Sequence, residues 1–174
     1  MSYTEKYKFY YKNKNFSFIL KDLSIIGFED GDTGFFYFQS PYSNSVNLYN
    51  EYCKNQCFYQ ISDLLTDELE EREHPFYARY DYSEGQYAEG SHPVAHMHLG
   101  VDTEIRIASE RKLKPMSFVL FILRQFYPNE WIVFLTLASL RSHRETALKS
   151  VRQNLVKVDS SYRKTGDFFE MYFV

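Results

Sequence analysis

Three of the chain's five histidines fall in one short segment, His92-Pro93-Val94-Ala95-His96-Met97-His98-Leu99-Gly100. Imidazole titrates near neutral pH and can donate a proton, accept one or ligate a metal, so such a cluster suits acid–base catalysis, metal binding or anion recognition. His96 and His98 are two positions apart. Successive side chains of a strand point to opposite faces, so both rings would leave the same face. Gly100 can turn the backbone, and Glu104 to Ala108 then reads as the returning strand of a hairpin.

If Gly100-Val101-Asp102 makes a tight connection, His98 stands opposite Glu104 and His96 opposite Arg106. All four side chains then share one face within cross-strand reach. Glu104 would favour the imidazolium form of His98, and Arg106 the neutral form of His96. An acid and a base separated in this way, with a guanidinium to hold phosphate, make the minimum kit of a metal-independent ribonuclease. The catalytic candidates are therefore His96, His98, Glu104 and Arg106, with no cofactor required. The alternative is zinc or another divalent metal on His96 and His98, completed by His92 or Glu104. A third reading makes the histidines a structural hydrogen-bonded network. A slip of one residue in register would send one strand's set to the other face.

Substrate-binding candidates are His92, Tyr80 and Arg144. Arg144 belongs to a basic helical face with Arg141, His143, Lys149 and Arg152, which suits phosphate contact or simple solvation. Cys53 and Cys57, one helical turn apart, could ligate or oxidise, or be buried small residues. His74 reads as solvent-exposed. The chain carries no Gly-rich phosphate loop, nucleophile elbow or dinucleotide fingerprint.

The elements that must position these groups follow from hydrophobic patterning. Tyr7, Phe9 and Tyr11 alternate with Lys8, Tyr10 and Lys12, which predicts a strand, followed by another over residues 16–20. Residues 23–29 and 34–39 form a second pair around the turn signal Asp30-Gly31. Residues 49–59 suggest an irregular helix, and 62–72 a short acidic helix or loop. Strands are expected over 76–82, 93–99 and 168–174, and helices over 115–126 and from 129 to about 154. The first helix starts on Pro115, which suits an initial helical position. The sum is an α+β fold: one domain over 1–174, an antiparallel sheet with two helices of the C-terminal half packed on one face.

Composition agrees. A chain of 174 residues can bury a real core. Its 19% aromatic content favours a substantial sheet. A net charge of −3 excludes a global field attracting nucleic acid but allows a local basic patch. The polar N-terminus, an apolar run too short to span a bilayer, and two cysteines point to a cytoplasmic protein without membrane contact.

His92-Pro93-x-x-His96-x-His98-x-Gly100, then Arg106-Ile107 and Pro115-x-x-Phe118-x-x-x-Ile122-Leu123-x-x-Phe126-Tyr127-Pro128, resembles an uncharacterised bacterial family, a domain of unknown function. Tyr80-Asp81-Tyr82 with His96-x-His98-x-Gly100 is also similar to small toxins of bacterial toxin–antitoxin pairs. These resemblances imply a bacterial or phage protein of a defence or toxin locus. It would act on RNA or DNA, or serve as a non-catalytic subunit or antitoxin-like partner of a protein encoded nearby. The strand-like opening implies that the chain lacks an N-terminal helix carried by relatives.

Overall fold

The computed structural model of the chain describes residues 1–29, 33–43, 45–47, 49–50, 70–101, 105–153, 155–164 and 172–173. Glu104, Cys53 and Cys57 lie outside them, as does most of the expected structure between 49 and 69. The chain forms two compact units: residues 1–28, 36–79 and 99–103 in the first, and 29–35, 80–98 and 104–174 in the second.

The first unit opens in a helix rather than the expected strand: α1 spans Tyr3–Lys12. Ser2 and Glu5 explain it. The Ser2 hydroxyl accepts from the Glu5 amide at 3.2 Å, while the Ser2 amide donates to the Glu5 carboxylate at 2.6 Å. This reciprocal capping box satisfies two amides that a helix start would leave without partners. Tyr3, Tyr7 and Tyr11 are spaced by four, so they share a helix face as readily as a strand face. Tyr7 and Tyr11 are buried among Leu23, Ile25, Phe36, Phe38 and Tyr42. Strands β1 (Phe18–Ile19) and β2 (Ile25–Phe28) pair antiparallel, with Phe18 opposite Ile26. The Phe36 ring lies over Gly27, 2.1 Å from where a Cβ would stand, so any side chain there would collide with the ring.

The remaining strands are β3 (Gly34–Phe38), β4 (Tyr77–Tyr82), β5 (Ala95–Leu99), β6 (Arg106–Ser109) and β7 (Tyr172–Phe173). Strand order in the sheet follows chain order, and β7 joins β6 in parallel. The fold is α+β, with antiparallel strands and helices concentrated in the C-terminal half.

In the second unit, Phe35 stacks on Tyr80 with centroids 5.3 Å apart and meets Phe118 at 5.7 Å. Phe118 belongs to α2 (Pro115–Phe126), which has the bounds expected from sequence. The expected single helix from 129 to about 154 is instead broken. α3 spans Pro128–Thr136, Leu137 is extended, a 3-10 turn covers Ala138–Leu140, and α4 runs Arg141–Gln153. The break is held by Arg144, whose guanidinium donates to the Phe134 and Leu135 carbonyls at 3.1 and 2.5 Å. Those carbonyls are among the groups a helix end leaves unsatisfied. A cavity of about 410 Å³ is lined by Met97 and Ser109 from the sheet and by Leu120, Trp131 and Leu148 from the helices. The helices therefore cover the sheet face that bears Met97. Among the described residues, no helix is long and apolar enough to cross a membrane.

Candidate functional site

Strand β4 alternates: Ala78 and Tyr80 are fully buried, whereas Tyr77, Arg79 and Asp81 are half-buried on the opposite face. The Ser83 amide donates to the Val94 carbonyl at 2.8 Å and the Gly100 amide to the Tyr77 carbonyl at 2.8 Å. These two bonds define an unbulged antiparallel register in which Asp81 stands opposite His96. The next strand pairs His98 with Arg106 and His96 with Ala108. The expected pairing of His98 with Glu104 and His96 with Arg106 is thus corrected by two residues. β5 ends at Leu99 and β6 begins at Arg106, with Gly100 at φ 86°. A slip of two preserves parity, so Arg106 still shares the histidine face.

On this face three ionisable groups converge. His98 Nε2 lies 2.9 Å from His96 Nε2 and 3.3 Å from Asp81 Oδ2. His96 Nδ1 is 2.7 Å from the Pro93 carbonyl oxygen, which can only accept, so that nitrogen carries the proton. In the neutral ring Nε2 then presents its lone pair to the cluster. Burial, reinforced by the neighbouring His98, pushes the His96 pKa down to about 4 and keeps it neutral. His92 packs edge-on against His96 with ring centroids 4.8 Å apart. Burial, followed by the nearby Arg106 charge, lowers its pKa as well.

Among the described residues, two buried nitrogens here have no hydrogen-bond partner: His92 Nδ1 and Arg106 Nε. His96 is fully buried, while the side chains of His98 and Asp81 keep 19% and 18% of their surface exposed, so solvent reaches the cluster through them.

The structure thus brings together His92, His96, His98 and Arg106. Tyr80 faces away: its hydroxyl accepts from the Leu113 amide at 3.0 Å on the helix-covered side. Arg144 is engaged at the end of α3. Asp81 is the member that sequence reasoning passed over as a site residue. Its signal was available in the alternation of β4, but its partner depended on how β4 pairs with β5. Glu29 joins it by a similar route. The Glu29 amide bonds the Gly34 carbonyl, and the Tyr82 amide bonds the Thr33 carbonyl, so Gly34 lies between Glu29 and Asp81 across three strands. The Glu29 carboxylate occupies the space above Gly34, 2.3 Å from where a Cβ would be.

Residues 1–160 match a family described as "Uncharacterized conserved protein (DUF2290)". The chain belongs to this family. No curated protein and no solved structure matches it. The match covers every member of the cluster, so in this DUF2290 protein the site lies wholly within the family domain.

Proposed function

We propose that the histidine face hydrolyses phosphodiester bonds of nucleic acid, RNA before DNA. The observation that carries this reading is Arg106 Nε, a buried donor without a partner among the described residues, on the strand position opposite His98. A guanidinium with its Nε so placed is suited to the oxygens of a phosphate, which it binds through strong charge-assisted bonds. In the reaction, a water gives a proton to the cluster and its oxygen bonds to phosphorus. The bond from phosphorus to the leaving sugar oxygen breaks, and that oxygen collects a proton from solvent. Preorganised charge at the phosphate and a positioned proton acceptor are the terms that accelerate such a displacement.

The resemblance to small bacterial toxins agrees with this activity, and a place in a defence or toxin locus belongs to the same reading. The test is cleavage of end-labelled RNA and DNA by wild type, His98→Gln and Arg106→Gln, together with growth of cells expressing each. Loss of cleavage by ~100-fold or more in both variants is expected, with growth arrest only in wild type. Intact nucleic acid with wild type, or equal cleavage by all three, would refute the proposal.

One observation favours a second reading, a protein-interaction subunit. Helix α3 buries none of its residues and leaves Ile132, Val133 and Leu135 40% or more exposed. Charged substitutions there should abolish co-purification of a partner while leaving cleavage intact if both readings hold.

A further inference from the structure

We propose that Asp81, His96 and His98 bind one divalent transition-metal ion of the zinc type. The inference deepens the reading of this cluster as the working centre and gives that centre its cofactor. Its three donor atoms lie within 4.8 Å of one another, and all come from adjacent strands whose register is set by backbone hydrogen bonds. Ligands about 2.0–2.1 Å from an ion, at angles between octahedral and tetrahedral, stand ~2.8–3.4 Å apart. The separations of 2.9 and 3.3 Å from His98 Nε2 are of that size, and the remaining pair, within 4.8 Å, closes onto an ion by rotation of the part-exposed Asp81 carboxylate.

The same distances fit a purely hydrogen-bonded network less well. His98 Nε2 carries at most one proton, which cannot be directed well at both His96 and Asp81. At 3.3 Å the Asp81 contact is also longer than an ordinary N–H···O bond. An ion in the middle removes the conflict, since both Nε2 atoms and the carboxylate then present lone pairs to it. The Pro93 carbonyl completes the pattern. It holds the His96 Nδ1 proton and so aims Nε2 inward, the outer support that metal-bound histidines usually receive.

Two imidazoles and one carboxylate select a borderline transition ion over magnesium or calcium, which prefer all-oxygen sites. Three protein ligands leave a fourth position open for water, on the side where Asp81 and His98 meet solvent. An ion there lowers the pKa of its water toward neutrality and so supplies the nucleophile for phosphodiester hydrolysis.

The test is calorimetric titration of chelator-stripped, full-length protein with zinc chloride, on wild type, Asp81→Asn, His98→Gln and Cys53→Ser/Cys57→Ser. Circular dichroism of each variant checks that it is folded, and cleavage of RNA is followed in parallel with and without chelator. Expected is one ion per chain in wild type and in the double cysteine variant, with affinity ~10-fold or more weaker in Asp81→Asn and His98→Gln. Binding that is absent in wild type, unaffected by both ligand substitutions, or lost only with the cysteines would overturn the site. The two proposals fail separately. Site-specific binding without cleavage keeps the ion and ends the hydrolase, whereas cleavage indifferent to chelator with no binding does the reverse.

Discussion

The two faces of strands β4 and β5 are built from the same backbone and carry different chemistry. On one face Tyr80 and Met97 are buried beneath helices, and the Tyr80 hydroxyl has its partner in the Leu113 amide. On the other, a single residue along each strand, Asp81 and His96 meet His98 and Arg106, with buried nitrogens left unpaired. Burying a polar atom without a partner costs about 1–3 kcal/mol, so such groups persist where something other than stability retains them. The histidine face gathers two such nitrogens beside its ionisable cluster, whereas the helix-covered face shows one such atom among the described residues, Ser117 Oγ of α2.

The contrast can be broken most strongly from the packed side. Phe118 is fully buried against Phe35, so Phe118→Ala should remove ~3–5 kcal/mol of stability, seen in a denaturant melt. A loss under ~1 kcal/mol would mean that this face does not carry the core.

The next effect concerns pH. An unfolded histidine takes up its proton near pH 6.5, whereas folded His96 resists until about 4. Between those values the unfolded chain binds more protons, so stability is full above the upper one and falls as pH drops toward the lower. The loss is on the order of 3 kcal/mol, and burial of His92 acts in the same direction. Melts across this range in the presence of chelator should show it, and His96→Asn should flatten it. A wild-type profile without slope would contradict the buried, neutral assignment.

Smaller still is the expected change on the histidine face. Arg106→Met removes a guanidinium whose Nε has no partner among the described residues, so stability should hold within about 1 kcal/mol or rise. RNA cleavage should nevertheless collapse. Destabilisation by more than ~2 kcal/mol would recast Arg106 as a structural group. The finest probe is Gly34→Ala. Its methyl would displace only the flexible end of Glu29, a cost of a few tenths of a kcal/mol offset by the entropy Gly gives up in a strand. Altered cleavage at unchanged stability would place Glu29 among the groups that serve the centre, and unchanged cleavage would remove it.

Much of this face was legible in the residues. The His96-x-His98 spacing requires a shared face on any strand, and Arg106 stays on it because an even slip in register preserves parity. Asp81 was visible as a polar position in β4, but its meeting with His96 depends on pairing across the loop between Ser83 and Val94, which no local pattern dictates. The N-terminal tyrosines show the opposite failure. A spacing of four satisfies the strand and helix periods alike, and the Ser2–Glu5 capping box was the signal that separated them. The break at Leu137 had no local signal; the group found holding it is Arg144, which reaches back to the last carbonyls of α3.

The most direct measurement is anomalous X-ray scattering at the zinc edge from crystals of the full chain equilibrated with zinc chloride. The account predicts a peak within ~2.0–2.2 Å of His96 Nε2, His98 Nε2 and Asp81 Oδ2. It would be contradicted by a featureless map at that point, with the two imidazoles still hydrogen-bonded to each other.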